Sequence, residues 1–458
     1  MSDHNFDVVI LGGGSGGYAA ALRSAQLGLS VALIERDKLG GTCLHRGCIP
    51  TKALLHSAEV ADVTREAATY GIQATLQGVD MPAVNKYRDG IIERLYKGLS
   101  GLVSSKAITL VAGEGRMVGP KTIAVGTDTY TGKNVVLATG SYSKTIPGLE
   151  LQGRFLDSEQ ALKLDFVPTS VIVLGGGVIG VEFASIWKSL GAEVTIVEGL
   201  PTLVPNEDPS VSKALERAFR KRGINFKTGV KFSSAAQGPN GVVVSLESGE
   251  QLEAEILLVA VGRGPNTAGF GYEEQGVKVD RGFVITNERL ETSVAGVYAA
   301  GDIVPGLQLA HRGFQQGIFI AEEIAGKRPA VIDELGIPKV TYCEPEIASV
   351  GLSEPKAAEV YGAENISVYE YNLGGNGKSQ ILGTAGFIKL IRRNNGPLIG
   401  IHMIGSRVGE QIGEAQLIVN WEAYPEEVAS LIHAHPTQNE ALGEAHLALA
   451  GKPLHAHA

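Results

Sequence analysis

Two thiols stand five positions apart in Gly40-Gly41-Thr42-Cys43-Leu44-His45-Arg46-Gly47-Cys48-Ile49-Pro50-Thr51-Lys52. A continuous helix would separate their Cα atoms by about 7.5 Å, beyond the roughly 4.4–6.8 Å that a disulfide spans. The chain must therefore bend between them if they are to meet, and Gly47 is the obvious place. Pro50 fits the first turn of a following helix, where a missing N–H costs nothing. Cys48 would then sit near a helix N-terminus, which lowers a thiol's pKa and stabilises the thiolate, and Lys52 adds positive charge. The opening residues, Met1 to Asp7, carry no basic or apolar leader. In such a chain a close cysteine pair is redox-active or metal-binding more often than a structural staple. No second pair completes a zinc site, so no metal is expected. The third cysteine, Cys343, reads as a small buried hydrophobe.

Electrons or hydride need a carrier, and the elements around the pair supply sites for two. The apolar run Phe6–Leu11 enters Gly12-Gly13-Gly14-Ser15-Gly16-Gly17, a helical pattern follows to Gly28, and the strand Val31–Ile34 ends at Glu35. The same order recurs at a constant offset of 163 positions: Gly12, Gly14, Gly17, Gly28 and Glu35 map onto Gly175, Gly177, Gly180, Gly191 and Glu198. A lone glycine fingerprint is weak. Two copies with strand, helix and terminal acid at equal spacing predict two dinucleotide sites. The first glycine permits the turn, the second lets backbone approach a pyrophosphate, and the third lets helix pack on strand. The phosphates then meet the helix N-terminus. Glu198 falls where ribose hydroxyls belong, and no arginine occurs from there to Glu216, so the second site is read as one for NAD rather than NADP.

The remaining chain fits this frame. Its 458 residues allow about three domains. The net charge of −9 argues against nucleic acid or an anionic membrane as partner. No apolar run is long enough for a membrane helix. Glycine, 60 of 458 residues, is well above its usual share. The segments Val135–Ser141, Leu257–Arg263 and Gly296–Asp302 read as strands returning to a glycine at the nucleotide edge. Segments 105–130 and 225–256 alternate and read as small meanders. From about 339 the character changes to strands (Gly386 to Ile391, Leu398 to Ile404) and then helices over 407–420 and 438–450. This third module carries no glycine fingerprint.

The cysteine pair, both fingerprints, Ala138-Thr139-Gly140-Ser141 and Ala299-Ala300-Gly301-Asp302 together resemble the flavin-dependent pyridine nucleotide-disulfide oxidoreductases, from Phe6 to about Lys452. Gly47-Cys48-Ile49-Pro50-Thr51-Lys52 resembles the lipoamide branch in particular. The C-terminal cysteine pairs of mercuric reductases and large thioredoxin reductases have no counterpart beyond Cys343. Ser15 stands where proline is common and Glu344 where histidine is common; neither position carries chemistry in that family.

The resemblance implies an α/β fold: two Rossmann-like three-layer nucleotide-binding domains plus a C-terminal α+β dimerisation domain. Residues 1–147 and 274–338 would form the FAD domain, 148–273 the NAD domain and 339–458 the interface domain. It implies FAD at the first fingerprint and NAD at the second. Cys43 would exchange with a dithiol and Cys48 face the flavin. Lys52 and Glu182 would pair beside it, Asp302 would hold the ribityl and pyrophosphate region, and Gln308-Leu309-Ala310-His311 would line the isoalloxazine. Gly41, Thr42, Gly115, Thr139, Gly140, Ser141, Val178, Ile179, Gly262 and Arg263 are further expected cofactor contacts. His433-Ala434-His435-Pro436-Thr437-Gln438-Asn439-Glu440 resembles the family's catalytic segment, with His435 as base and Glu440 orienting it, across the interface of a homodimer. His433 gets a supporting role, while His455 and His457 read as an incidental tail. The implied reaction is oxidation of dihydrolipoamide by NAD⁺ through the disulfide and FAD, in the cytoplasm, serving lipoyl domains of 2-oxo acid dehydrogenase or glycine cleavage complexes. The alternative is an NAD(P)H-dependent reductase of another low-molecular-weight disulfide.

Overall fold

The computed structural model describes residues 2–456. Its first sheet is built on the strand Asp3–Leu11, whose last four residues are fully paired on both sides. Val8–Leu11 run parallel to Val31–Ile34 on one side and to Asn134–Leu137 on the other. Ile108–Ala112 and Val297–Ala299 complete the parallel part. Strands buried on both faces must be apolar throughout, and Val8, Val9, Ile10 and Val31 to Ile34 are all 0–1% exposed. The strands Gly115–Gly119 and Thr122–Val125 pair antiparallel with each other, and Thr122–Val125 pairs antiparallel with the N-terminal half of Asp128–Leu137.

The segment 105–130 is therefore only partly a meander. Ile108–Ala112 is the parallel edge strand of the nucleotide sheet. Alternating burial alone does not separate a half-covered parallel edge from a hairpin. The same holds for Asn225–Lys227, which pairs parallel to Glu193–Val197, while 232–254 forms the expected three-stranded antiparallel meander.

The second sheet repeats the first: Asn225–Lys227, Glu193–Val197, Ser170–Leu174, Ile256–Val259 and Phe155–Leu156, all parallel. The third is antiparallel, in the order Lys339–Thr341, Glu346–Gly351, Leu398–Gly405, Phe387–Arg393, Ile366–Asn372. The helices Val408–Asn420 and Glu440–Leu449 cover it through Val408, Ala415, Ala441 and Ala445, each 0% exposed. This is the expected fold class, two three-layer nucleotide-binding units and an α+β module.

Two helices outside the repeat matter for the site. Cys48–Glu66 packs against Val178–Leu190 of the second unit. Ala310–Ile324 packs tightly on Ser15–Gln26, because a Cβ at Gly317 would lie 2.2 Å from Gly16 O. Among the described residues no helix is long and apolar enough to cross a membrane.

Candidate active site

The two glycine loops divide their labour identically. A Cβ on Gly12 or Gly175 would lie 2.2 or 2.4 Å from the carbonyl of Ala138 or Ala260, and both residues have φ above +100°. A Cβ on Gly17 or Gly180 would lie 1.8 or 1.9 Å from the carbonyl of Gly12 or Gly175. These four glycines are demanded by the chain itself. Gly14 and Gly177 are not, since a Cβ there meets no protein atom within 4 Å. Space left free at the helix N-terminus, on the one glycine that packing does not require, is a cradle for a pyrophosphate. Both loops fit a dinucleotide.

The acids closing the two units are also equivalent. Glu35 accepts from Gly13 N–H at 2.6 Å and Asp37 N–H at 2.8 Å. Glu198 accepts from Gly176 N–H at 2.6 Å and Leu200 N–H at 2.7 Å. Each carboxylate is thus fixed at its strand end with lone pairs to spare for a sugar.

Two adjoining cavities, of about 380 and 220 Å³, share Gly14, Thr42, Ala138, Gly140, Ser141 and Arg263 and form one cleft. Gly12, Glu35, Gly41, Gly115 and Thr139 line its outer part. Cys43, Cys48, Lys52, Val178, Ile179, Glu182, Asp302, Gln308, Leu309 and Ala310 line the inner part. A Cβ at Gly41 would come 2.8 Å from Gly14 Cα, so the cysteine helix docks directly on the glycine loop. Arg263 donates to Ser141 Oγ at 2.7 Å, and Ser141 Oγ donates in turn to Asp302. Thr139 Oγ1 donates to Asn266 O at 2.6 Å. Gly262 stands beside Arg263 in the second unit at φ +106° with open space above it, as Gly140 stands beside Ser141 in the first. His311 departs from its expected place: it is exposed, and its Nε2 lies 2.8 Å from Pro338 O, away from the cleft.

The cysteines sit on either side of a helix break. Gly41–Arg46 ends at Gly47, and Cys48–Glu66 begins immediately after it. Both are free thiols and partly buried. The Cys43 thiol shares its hydrogen with Cys48, and that bond is the main cause that lowers Cys48 to about 7. Burial opposes the shift, Lys52 supports it, and Glu182 opposes it. The same bond, with burial, holds Cys43 well above the usual thiol range. Lys52 Nζ lies 2.9 and 2.8 Å from the two carboxylate oxygens of Glu182.

His435 and Glu440 are elsewhere. His435 Nδ1 lies 2.6 Å from Glu440 Oε1, and Thr437 N–H donates to Glu440 Oε2 at 2.7 Å. Burial works to raise the Glu440 carboxyl, yet the Thr437 and His435 bonds outweigh it and hold it below its ordinary range. The residues lining the cysteine cleft run only from Gly14 to Val340, so this pair does not meet the thiols within one chain. His433 forms a parallel pair, its Nε2 2.8 Å from Glu414 Oε1, and Asn439 donates to the other Glu414 oxygen. His455 is exposed, as expected, and its N–H and its ring both engage Glu444, at 3.0 and 2.9 Å. His457 lies outside the described residues. Cys343 is buried, 1% exposed, as expected.

Sequence reasoning missed Arg46, which lines both cavities and pairs with Asp37 at 2.7 Å. Its position between the two cysteines was the available signal.

Residues 6–317 match the pyridine nucleotide-disulphide oxidoreductase family, and residues 337–446 match the dimerisation domain of that family. The chain is 39% identical over 471 aligned positions to a dihydrolipoyl dehydrogenase of Bacillus subtilis, covering 98% of this chain and 99% of that protein. It is 38% identical to a mitochondrial dihydrolipoyl dehydrogenase of Arabidopsis thaliana, covering 99% and 92%. The crystal structure of LpdA from Mycobacterium tuberculosis superposes with a TM-score of 0.90 at 25% identity, covering 98% of this chain and all of that one.

Proposed function

Because the chain belongs to the pyridine nucleotide-disulphide oxidoreductases, enzymes that use FAD and NAD(H), we propose that it oxidises a dihydrolipoyl group to its disulfide with NAD⁺ as acceptor. The observation that carries the reading is the pair Cys43 and Cys48, astride a helix break, in a cleft reached by both nucleotide units.

Residues 1–147 with 274–338 form the FAD-binding domain, 148–273 the NAD-binding domain and 339–458 the interface domain. FAD would be held by Gly12, Gly14, Gly17, Glu35, Gly41, Thr42, Gly115, Thr139, Gly140, Ser141, Arg263 and Asp302, with Lys52, Glu182, Gln308, Leu309 and Ala310 toward its reactive end. NAD would be held by Gly175, Gly177, Val178, Ile179, Gly180, Glu198 and Gly262. Bound there, FAD supplies a two-electron acceptor for the dithiol and NAD⁺ the final acceptor.

The chain's own residues perform the sulfur chemistry. In the oxidised pair, an incoming thiolate attacks Cys43 Sγ and forms a mixed disulfide. The Cys43–Cys48 bond breaks and its electron pair leaves on Cys48. A leaving thiol of low pKa departs faster, and the Lys52 ammonium beside Cys48 favours the departing thiolate. The second substrate thiol then closes on the first, expelling Cys43, which recovers a proton because its thiol is held high. The substrate loses two electrons and two protons, and the protein disulfide gains the electrons. A thiol attacks only as thiolate, so a base is needed. His435, exposed and backed by Glu440, takes that proton. It reaches the cysteines of a second copy, which makes the homodimer the working unit, with the C-terminal module as its interface. Lipoyl domains of a 2-oxo acid dehydrogenase or glycine cleavage complex are the proposed partners, in the cytoplasm.

Steady-state rates with NADH and lipoamide, set against glutathione disulfide, test the reading. Lipoamide should be reduced far faster; a preference for glutathione disulfide overturns it.

A further inference from the structure

Three parts of the chain meet at one ion pair. Lys52 comes from the helix that follows the cysteines, Glu182 from the helix that follows the second glycine loop, and Tyr342 from the first turn after the strand Lys339–Thr341 of the C-terminal module. Tyr342 touches both members. Its ring face lies 4.8 Å from Lys52 Nζ, and its backbone N–H donates to Glu182 Oε1 at 3.0 Å. The adjoining residues lock it in place: Glu344 N–H donates to Ser185 Oγ at 3.1 Å, Arg222 donates to Glu344 O at 3.0 Å, and buried Cys343 fills the seam between.

We propose that Tyr342 is a positioning residue through which the C-terminal module fixes the Lys52 ammonium beside the cysteine pair, and so sets how readily Cys48 exists as thiolate. The physical case has three parts. An ammonium over an aromatic face is held by the ring quadrupole, more strongly where water is excluded. Glu182 is 3% exposed in its side chain and Lys52 about a third, so the ring covers the wetter partner. Glu182 repels a thiolate on Cys48 while Lys52 attracts it. The net field at the sulfur therefore depends on where the ammonium sits, not on the pair's existence alone.

The groups facing Cys48 are Cys43, Lys52 and Glu182, with Arg263 also within its field. Those facing Tyr342 are Lys52, Glu182, Glu346 and Glu410, and burial keeps its phenol protonated above the ordinary range. The ring thus stays a neutral π surface throughout the neutral range.

The inference rests on the disulfide-oxidoreductase reading of the cysteines but not on which dithiol is the substrate, and its test uses no turnover. The dithiol-reduced holoenzyme is titrated with pH while thiolate absorbance is followed in the ultraviolet, with the Cys48→Ser holoenzyme as blank. Wild type should show a midpoint near 7. Tyr342→Leu should raise that midpoint by roughly 0.5–1 unit, equivalent to roughly 3–10-fold less thiolate below it. Tyr342→Phe keeps the ring and the backbone donor and should restore the wild-type midpoint. An unshifted midpoint in Tyr342→Leu, or an equal shift in Tyr342→Phe, overturns the proposal. A thermal scan of each variant confirms that both are folded. Loss of lipoamide preference with these midpoints intact would count against the substrate reading and leave this inference standing.

Discussion

His435 Nδ1 lies 2.6 Å from Glu440 Oε1, and 78% of the His435 side chain is exposed. An imidazole oriented by a carboxylate yet open to solvent is built to meet something outside its own chain. Mixing two inactive variants, Cys43→Ser and His435→Gln, tests this. A mixed dimer holds one site with both lesions and one with neither. Random assortment makes half the dimers mixed, so about a quarter of wild-type activity should return. No recovery, with mixed dimers verified by mass, would falsify the shared site.

The glycine loops predict opposite outcomes for two similar substitutions. Gly17→Ala places a methyl 1.8 Å from Gly12 O and should destabilise the fold by about 1–3 kcal/mol or more. Gly14→Ala meets no protein atom within 4 Å and should leave the flavin-free protein as stable as wild type. It should nevertheless retain much less FAD. Flavin content and the melting temperature of the apoprotein separate the two, and equal behaviour of both variants would sink the cradle assignment.

Glu198 should govern nicotinamide binding alone. Glu198→Ala removes the acceptor that Gly176 and Leu200 hold in place and should weaken NAD binding by roughly 1–3 kcal/mol. Reduction of the cysteines by dihydrolipoamide should hardly change. An unaltered KM for NAD⁺ shows that the site lies elsewhere.

Lys52 and Glu182 act on Cys48 with opposite signs. The depressed Cys48 thiol is ionised above about pH 7 and regains its proton as the pH falls through that value. Lys52→Gln should therefore move the thiolate midpoint upward, toward an ordinary thiol. Glu182→Gln removes the opposing charge and should move it downward, provided Lys52 keeps its place over Tyr342. Midpoints shifting in the same direction in both variants contradict the electrostatic account.

Much of this molecule was legible in the order of its residues, because the physics behind those parts is local. A glycine that must carry φ near +106°, or must let a carbonyl within 2.2 Å of its missing Cβ, cannot be another residue, so Gly12 and Gly175 announce the turn wherever they occur. Glu35 and Glu198 follow their glycines at equal spacing because a helix and a strand of matching length lie between. The break at Gly47 follows from the reach of a disulfide. Other features depended on distances that no sequence spacing encodes. Ile108–Ala112 joined the parallel sheet because its partner, Val31–Glu35, offered an open edge. His311 lies exposed against Pro338 O, a contact 27 positions away in sequence that only the packing of the chain creates. Lys52, Glu182 and Tyr342 lie 130 and 160 positions apart, and only the packing of one helix on another and the docking of the C-terminal strand bring them within a few ångströms. A half-buried ammonium gains from a carboxylate and from an aromatic face, but which residues supply them is decided by topology, since hydrogen bonds and ion pairs act across space with no memory of the chain between them.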